Sequence, residues 1–423
     1  MNTLRVNSKL VNKNTKDCVV IGAGVIGVVT AFQLLKSGKK VTLIDKGEPA
    51  MECSYGNCAL FATDEIFPTP SLSIIPKIPG MLFNSESPLV IKPDYMLSFI
   101  PWGLRFLWAC RPSKNKSGVE ALKNLNKNAL ADWQDVMKSA NADRFLRQNG
   151  NLHVFKTARG HEEGKELLES LNTHDIRARM VNAQELKEMV PDISDDQHGA
   201  VQFLDTGHSI EPHGLVRAVF DQFIADGGTF IKEQVHTLKK TETGVDISYG
   251  ENTLHAEKLV IAAGYKSAEL TAQLGYKVPL TAERGYHLML PKHKNLEYAL
   301  THHERHFVIT PLENGLRLAG TAEFAKNSEN PTMDRARMLT KFATELLPDL
   351  SSEIESEWMG CRPTLPDYLP VIDQKENVFF AFGHSHLGLT QAASTANIIR
   401  DMVANKETET IKTNNRSFSI DRF

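Results

Sequence analysis

Apolar residues along the chain follow two rhythms. Cys18-Val19-Val20-Ile21 and Val41-Thr42-Leu43-Ile44 are short continuous apolar runs, as in strands buried on both faces. Between them, residues 25–35 carry a helical pattern that Ser37-Gly38 closes. A Pro-rich passage over residues 67–93 predicts a connection winding over a surface. Residues 118–147 predict helix, with Leu122, Leu125, Leu130 and Trp133 near the helical repeat, and residues 150–155 predict a strand entering a different sheet. Residues 212–225 predict a helix ended by Asp226-Gly227-Gly228, with a strand beginning at Thr229-Phe230-Ile231. Leu259-Val260-Ile261-Ala262 is another buried strand, running into Ala263-Gly264. Strands return at residues 286–290, 307–310 and 316–319; then 378–382 leads into Gly383, and residues 388–403 form a long closing helix.

The first of these units carries chemistry. Its strand runs into Gly22-Ala23-Gly24-Val25-Ile26-Gly27, and the next strand ends on Asp45. Gly22 permits a tight turn, Gly24 lets the backbone approach a pyrophosphate, and Gly27 lets helix and strand meet closely. The helix start aims N–H groups and a positive dipole end at phosphates, and Asp45 can accept from a ribose diol. The unit therefore predicts a bound dinucleotide. NAD and FAD share it.

At 423 residues the chain is long enough for two domains. The nucleotide-binding patterns recur in separated blocks, so the expected division is interleaved. Residues 17–92, 195–275 and 357–423 form a Rossmann-type α/β unit; residues 93–194 and 276–356 form a substrate unit on a mixed or antiparallel sheet. Residues 1–16, polar and without the apolar core of a secretory signal, read as a mobile tail. A net charge of -3 gives no basic face for nucleic acid. Cys18, Cys53, Cys58, Cys110 and Cys361 are scattered without a CxxC pair, which argues against zinc and a disulfide framework and fits a reducing cytoplasm. No apolar run is long enough to cross a membrane. Residues 95–108 are aromatic-rich, with Arg105 and Arg111 at one edge. They support two readings: a patch lying on a bilayer, or a packed helix broken near Pro101, which the paired tryptophans favour.

Several further motifs recur in a fixed order: Glu52-Cys53-Ser54-Tyr55-Gly56-Asn57, Arg284-Gly285-Tyr286, Gly320-Thr321-Ala322-Glu323, Gly360-Cys361-Arg362-Pro363, Gly383-His384 with Leu387-Gly388, and Ser419-Ile420-Asp421-Arg422-Phe423. With them the chain resembles, over nearly its whole length, the D-amino-acid oxidase/dehydrogenase family of FAD enzymes. Within that family it is most similar to bacterial D-amino-acid dehydrogenase small subunits and D-hydroxyproline dehydrogenases. The resemblance implies non-covalent FAD; Cys361 lies one position from where covalent relatives attach their flavin. A strand ending at Gly383 and a helix starting near Gly388 would face the flavin with N–H donors. Ser54 and Asn57 would contact pyrophosphate and flavin, and Val235 would cup the adenine. Lys46, Ala263, Gly264, Gly360, Leu389 and Thr390 complete the cofactor set that the resemblance implies.

The same resemblance makes Arg362 the anchor of a substrate carboxylate, a role suited to guanidinium geometry; the competing use is an ion pair with an acid such as Asp367. Tyr286 would donate to that carboxylate, His287 would contact flavin or amine, and His386 would mark substrate preference. His302, His303 and His306 read as a solvated loop with no metal. The implied reaction is oxidation of a D-amino acid, D-proline or cis-4-hydroxy-D-proline among the candidates, with hydride passing from Cα to flavin N5. A sarcosine- or glycine-type oxidase using O2 and a non-catalytic FAD-binding subunit are the alternatives. The electron acceptor would be a quinone or another carrier, or O2, with peripheral membrane contact through residues 95–108.

Overall fold

The computed structural model describes residues 15–78, 80, 86–326, 328–406, 408 and 416–423. Most of the expected tail, residues 1–14, lies outside the described residues. Thr15 and Lys16 already belong to a strand, paired with His255 and Ala256.

Two large sheets organise the chain. In the first, of eight strands, β1 (Thr15–Ile21) lies between β2 (Val41–Asp45) and β3 (Asn252–Ile261), parallel to both. The strand Thr229–Lys232 adds parallel to β2, and Val235–Lys240 and Val245–Tyr249 form an antiparallel meander beside the start of β3. The turn after β1 has Gly22 at φ +108°, and a side chain there would sit 2.3 Å from the Ala262 carbonyl oxygen. A Cβ at Gly27 would come 1.7 Å from the Gly22 oxygen, so any larger residue would drive the helix off the strand. That helix, α1 (Val25–Lys36), is buried from Val25 to Leu34. An apolar surface on all sides suits an element with sheet on one face and helices on the other.

The second sheet has nine strands of mixed orientation, mostly antiparallel. β4 (Thr281–Leu290) runs between β5 (Gly315–Phe324) and β6 (Ser356–Thr364), antiparallel to both. Phe307–Leu312, Ala299–His302, Asn151–Phe155, Gly199–Phe203 and Ala178–Val181 extend it from β5, and Leu89–Ile91 adds parallel to β5. The helix Asp334–Leu346 covers it through Ala336, Leu339, Phe342 and Leu346. The chain then returns to the first sheet. β7 (Val378–Phe382) runs parallel to the last residues of β3 and leads through Gly383 to a long, largely buried C-terminal helix over Gly388–Val403.

Contacts cross the expected domain divisions. β6, Leu89–Ile91 and Gly199–Phe203 lie in stretches expected to bind nucleotide, yet all three are hydrogen-bonded into the second sheet. The stretch 118–147, expected to be helix throughout, holds two helices with a break at 127–128 and ends its helix at Ser139; Asp143–Phe145 is a 3-10 turn and Leu146–Arg147 a short strand. Here α2 (Met96–Ala109), α3 (Pro112–Asn126) and α4 (Ala129–Ser139) follow one another. Leu122, Leu125, Trp133 and Val136 from the last two share one apolar core with Val28 and Phe32 of α1, with α5 (Pro212–Ala225), and with α6 (Gly388–Val403). Available apolar surface, not chain position, decides where these helices settle. α2 continues through Pro101 without a break. Its Phe99 and Trp102 rings pack on Phe324, while Leu97, Leu104 and Trp108 are exposed.

Candidate active site

A cleft of about 470 Å³ opens at the carboxyl ends of β1, β2 and β3 and runs to Arg362 on β6. Open α/β sheets bind their ligands at this end. Gly22, Gly24, Val25 and Ile26 form its floor, followed by Asp45, Lys46 and Ser54, then Val235, Ala263 and Gly264. Asp45 accepts from Ala23 N–H at 2.6 Å and from Gly47 N–H at 2.8 Å. One backbone bond on each oxygen leaves lone pairs for a diol. Lys46 is tied to Glu52 at 2.9 Å. The N-cap of α1, Gly24, has no side chain to satisfy the helix donors; Ser54 Oγ supplies one acceptor by taking Val25 N–H at 2.9 Å.

Ser54 begins a loop whose carbonyls are drawn into the second sheet. Arg317 Nη1 donates to Tyr55 O at 3.1 Å and to Asn57 O at 2.8 Å. His287 Nδ1 binds Gly56 O at 3.1 Å, and Thr310 Oγ1 donates to Cys58 O at 2.7 Å. Asn57 folds back, its Nδ2 donating to Ser54 O at 2.7 Å. Gly56, Asn57 and Cys58 line the cleft, and their N–H groups have no partner among the described residues. The opposite wall comes from Gly383, His386, Gly388 and Leu389; the first turn of α6 has no side-chain cap.

At the far end, Arg362 lies across Gly285, where a Cβ would come 2.6 Å from its Cζ. Its Nη1 donates to Glu283 Oε1 at 2.7 Å and to Thr321 O at 3.2 Å, using both hydrogens on that nitrogen. Nε and Nη2 have no protein partner among the described residues, so one edge of the guanidinium stays free in the cleft. Glu283 also accepts from Thr364 Oγ1 at 3.0 Å and from Tyr368 OH at 3.3 Å. Burial opposes the charge of Arg362, yet the Glu283 carboxylate more than offsets this and holds its pKa above the ordinary value. Asp367, the rival partner, is instead held by Arg422 at 2.7 Å. Trp358 closes the chamber. Its ring lies against Gly56 and Gly360, where side chains would come 2.1 and 2.0 Å from it, and stacks on His287 at 5.0 Å.

The family profile described as FAD-dependent oxidoreductase (DAO) matches residues 17–402. The chain belongs to this family. A D-amino-acid oxidase of Bradyrhizobium diazoefficiens is 29% identical over 404 residues, spanning 92% of this chain and 95% of that protein. A D-amino acid dehydrogenase of Paramagnetospirillum magneticum is 27% identical over 406 residues, with 92% and 95% covered. The structure of glycine oxidase from Geobacillus kaustophilus superposes with a TM-score of 0.75 at 20% identity, covering 97% of this chain and 99% of that one, which speaks for the fold alone. The residues present fit FAD: two helix starts whose N-cap residues offer no side-chain cap, the Asp45 acceptor and the N–H groups of residues 56–58 all border one long cleft.

Not every residue expected at the flavoenzyme's reacting centre stands there. Tyr286 directs its hydroxyl at Glu323 Oε1, 2.8 Å away, and receives Thr332 N–H at 3.1 Å. It points to the face of β4 that Arg284 shares, so it is not free to bind a carboxylate. His287 is buried behind Trp358, and burial pushes its pKa down to about 3, leaving a neutral ring whose Nδ1 must carry the proton to bond a carbonyl. Thr390 is turned from the cleft: its Oγ1 accepts from Ala62 N–H at 3.0 Å. Gly27 lies beneath the cleft floor, where its role is packing. His386 does face the cleft, where surrounding protein lowers its pKa and keeps it neutral. His302, expected in a solvated loop, is buried 3.3 Å from Glu304, while His303 pairs with Glu163 at 3.1 Å.

Sequence reasoning missed Glu283, Trp358 and Arg317, and missed that Cys53, Cys58 and Cys361 line the same cleft. Burial pushes the Cys53 thiol up to about 12 and raises those of Cys58 and Cys361. Strand parity in β6 places 358, 360 and 362 together, but the sequence did not disclose that strand.

Proposed function

We propose that this flavoenzyme oxidises the Cα–N bond of a D-amino acid whose carboxylate binds the Nε/Nη2 edge of Arg362. The observation that carries this reading is the half-saturated guanidinium: Nη1 is fixed by Glu283 and Thr321, while the adjoining fork is free in the cofactor cleft. Such a fork matches a carboxylate in two parallel bonds. The named relatives, a D-amino-acid oxidase and a D-amino acid dehydrogenase, support the handedness. Bound FAD would supply the two-electron oxidant. Arg362 orients the substrate, Trp358 shields the chamber from water, and neutral His386 offers a ring nitrogen to the amine. A histidine-bearing pocket favours a polar ring, with cis-4-hydroxy-D-proline or D-proline as preferred substrates.

Anaerobic titration of the purified protein with D- and L-forms of alanine, proline and 4-hydroxyproline tests this. Bleaching of the flavin by D-isomers is expected, cyclic ones most strongly. Arg362→Met should lower kcat/KM by roughly a thousandfold, the loss of two charge-assisted hydrogen bonds. Bleaching by L-isomers alone, or an unchanged KM in Arg362→Met, defeats the reading.

We further propose a membrane-borne quinone as acceptor, met at the cytoplasmic face of the bilayer through α2. No helix of the described residues is long and apolar enough to cross a membrane. α2, however, exposes Leu97, Ile100, Leu104 and Trp108 on one face, and its opposite face packs through Trp102 and Phe106 on Tyr368, the residue that donates to Glu283.

A further inference from the structure

Four arginines of the second sheet and its covering helix lie inside the protein around the substrate end. Arg362 is paired with Glu283 at 2.7 Å and Arg284 with Glu323 at 3.1 Å, and Arg335 feels the Glu323 charge. Arg317, on β5, like Arg335, forms no ion pair among the described residues, and of the four it is the one bonded to the loop that borders the cofactor cleft. It is 6% exposed; burial pushes its pKa down to about 10, and Cys58, Tyr55 and Glu211 offset only part of that cost. Its Nε is buried without a hydrogen-bond partner. Burying a guanidinium in this state is unfavourable. The fold places it directly behind the loop that borders the cofactor cleft.

We infer that Arg317 is a positioning residue for the cofactor, and that its unneutralised charge favours reduced over oxidised FAD. Through Tyr55 O and Asn57 O it draws the loop carbonyls away from the cleft, with His287 and Thr310 holding the carbonyls of Gly56 and Cys58. This arrangement leaves the N–H groups of residues 56–58 as the loop's unpaired polar groups at the cleft wall. Two-electron reduction with uptake of one proton leaves FAD with one more negative charge, which those donors and the cation behind them stabilise. The loop is one chain thick, so the charge acts across a short, weakly screened path. The inference rests on FAD as the cofactor and is independent of which amino acid is oxidised.

The test needs no amino acid. The midpoint potential of bound FAD is measured against a reference dye during slow enzymatic reduction by xanthine oxidase. FAD affinity is measured separately, by quenching of free-flavin fluorescence on adding apoprotein. In Arg317→Met and Arg317→Gln the preference for reduced over oxidised FAD should fall about tenfold, a potential about 30 mV more negative. Arg317→Lys, which keeps the charge, should stay close to the parent potential while binding FAD more weakly through the lost carbonyl contact. A parent-like potential in either neutral variant, or a potential in Arg317→Lys as low as theirs, overturns the inference. If neither neutral variant holds FAD, retention by Arg317→Lys supports it, and loss from Arg317→Lys as well reduces Arg317 to a structural tie.

Discussion

At 2.7 Å from Arg362 Nη1, the Glu283 carboxylate acts in two opposed ways. It fixes the plane of the guanidinium and compensates its burial, and it also competes electrostatically with any incoming carboxylate. Glu283→Gln keeps an acceptor for Nη1 and removes the charge. We expect a fold weakened by about 3–5 kcal/mol, the cost of an uncompensated buried charge. We also expect benzoate, a non-reactive carboxylate, to bind at least tenfold tighter and to restore much of the lost Tm. Unchanged benzoate affinity would show that Glu283 does not oppose the ligand. Arg362 itself was legible from Gly-Cys-Arg-Pro. Its partner was not, because Glu283 meets Arg362 only through the register of β4 against β6. The same register explains the misplacement of Tyr286. Residues 284 and 286 face Glu323, while 283, 285 and 287 face the chamber side, and no motif discloses that parity before the strands are paired.

At the scale of an element, α2 packs one face on the core and exposes the other, without the break expected near Pro101. Trp102 is 8% exposed and serves the core; Trp108 is 53% exposed beneath the Arg111 guanidinium. Arg105 on α2, Arg111 after it, and Lys114 and Lys116 at the start of α3 form no ion pair among the described residues. This is the charge pattern of a helix lying in an anionic lipid interface. The double variant Leu97→Ser, Leu104→Ser should bind vesicles containing anionic phospholipid at least tenfold more weakly, with an unchanged Tm, since each leucine carries its transfer energy only on contact with lipid. Equal partitioning of parent and variant would remove the membrane from the proposed acceptor path. Strongly patterned elements such as Val378–Phe382 and Gly388–Val403 were legible to the residue. β6 was not, because Ser356–Thr364 is half-buried along nearly its whole length and has no polar-apolar alternation to read.

For the molecule as a whole, buried neutral histidines set the acid limit. Burial pushes His153, His287 and His384 down to about 3 and His208 to about 4, while the unfolded chain titrates near the ordinary histidine value of about 6.5. Their contribution is therefore complete above about pH 6.5 and is lost as pH falls towards 4, where unfolding takes up about three protons. The slope is about 1.4 kcal/mol per pH unit for each ring. Tm measured from pH 8 to pH 4 should fall steeply below 6.5, and His208→Gln should flatten that fall; a flat profile would place these rings in contact with water. The recurring nucleotide-binding blocks were legible at this scale. Their seam was not, since α3 and α4 settle by apolar fit on α6. That seam has a mechanical consequence. Domains swing apart where few bonds cross, yet here four consecutive carbonyls of the 55–58 segment are anchored to the neighbouring sheet while Ser54 holds the start of α1. Along this segment the two halves are bound to each other, and swinging them apart there would have to break four hydrogen bonds at once.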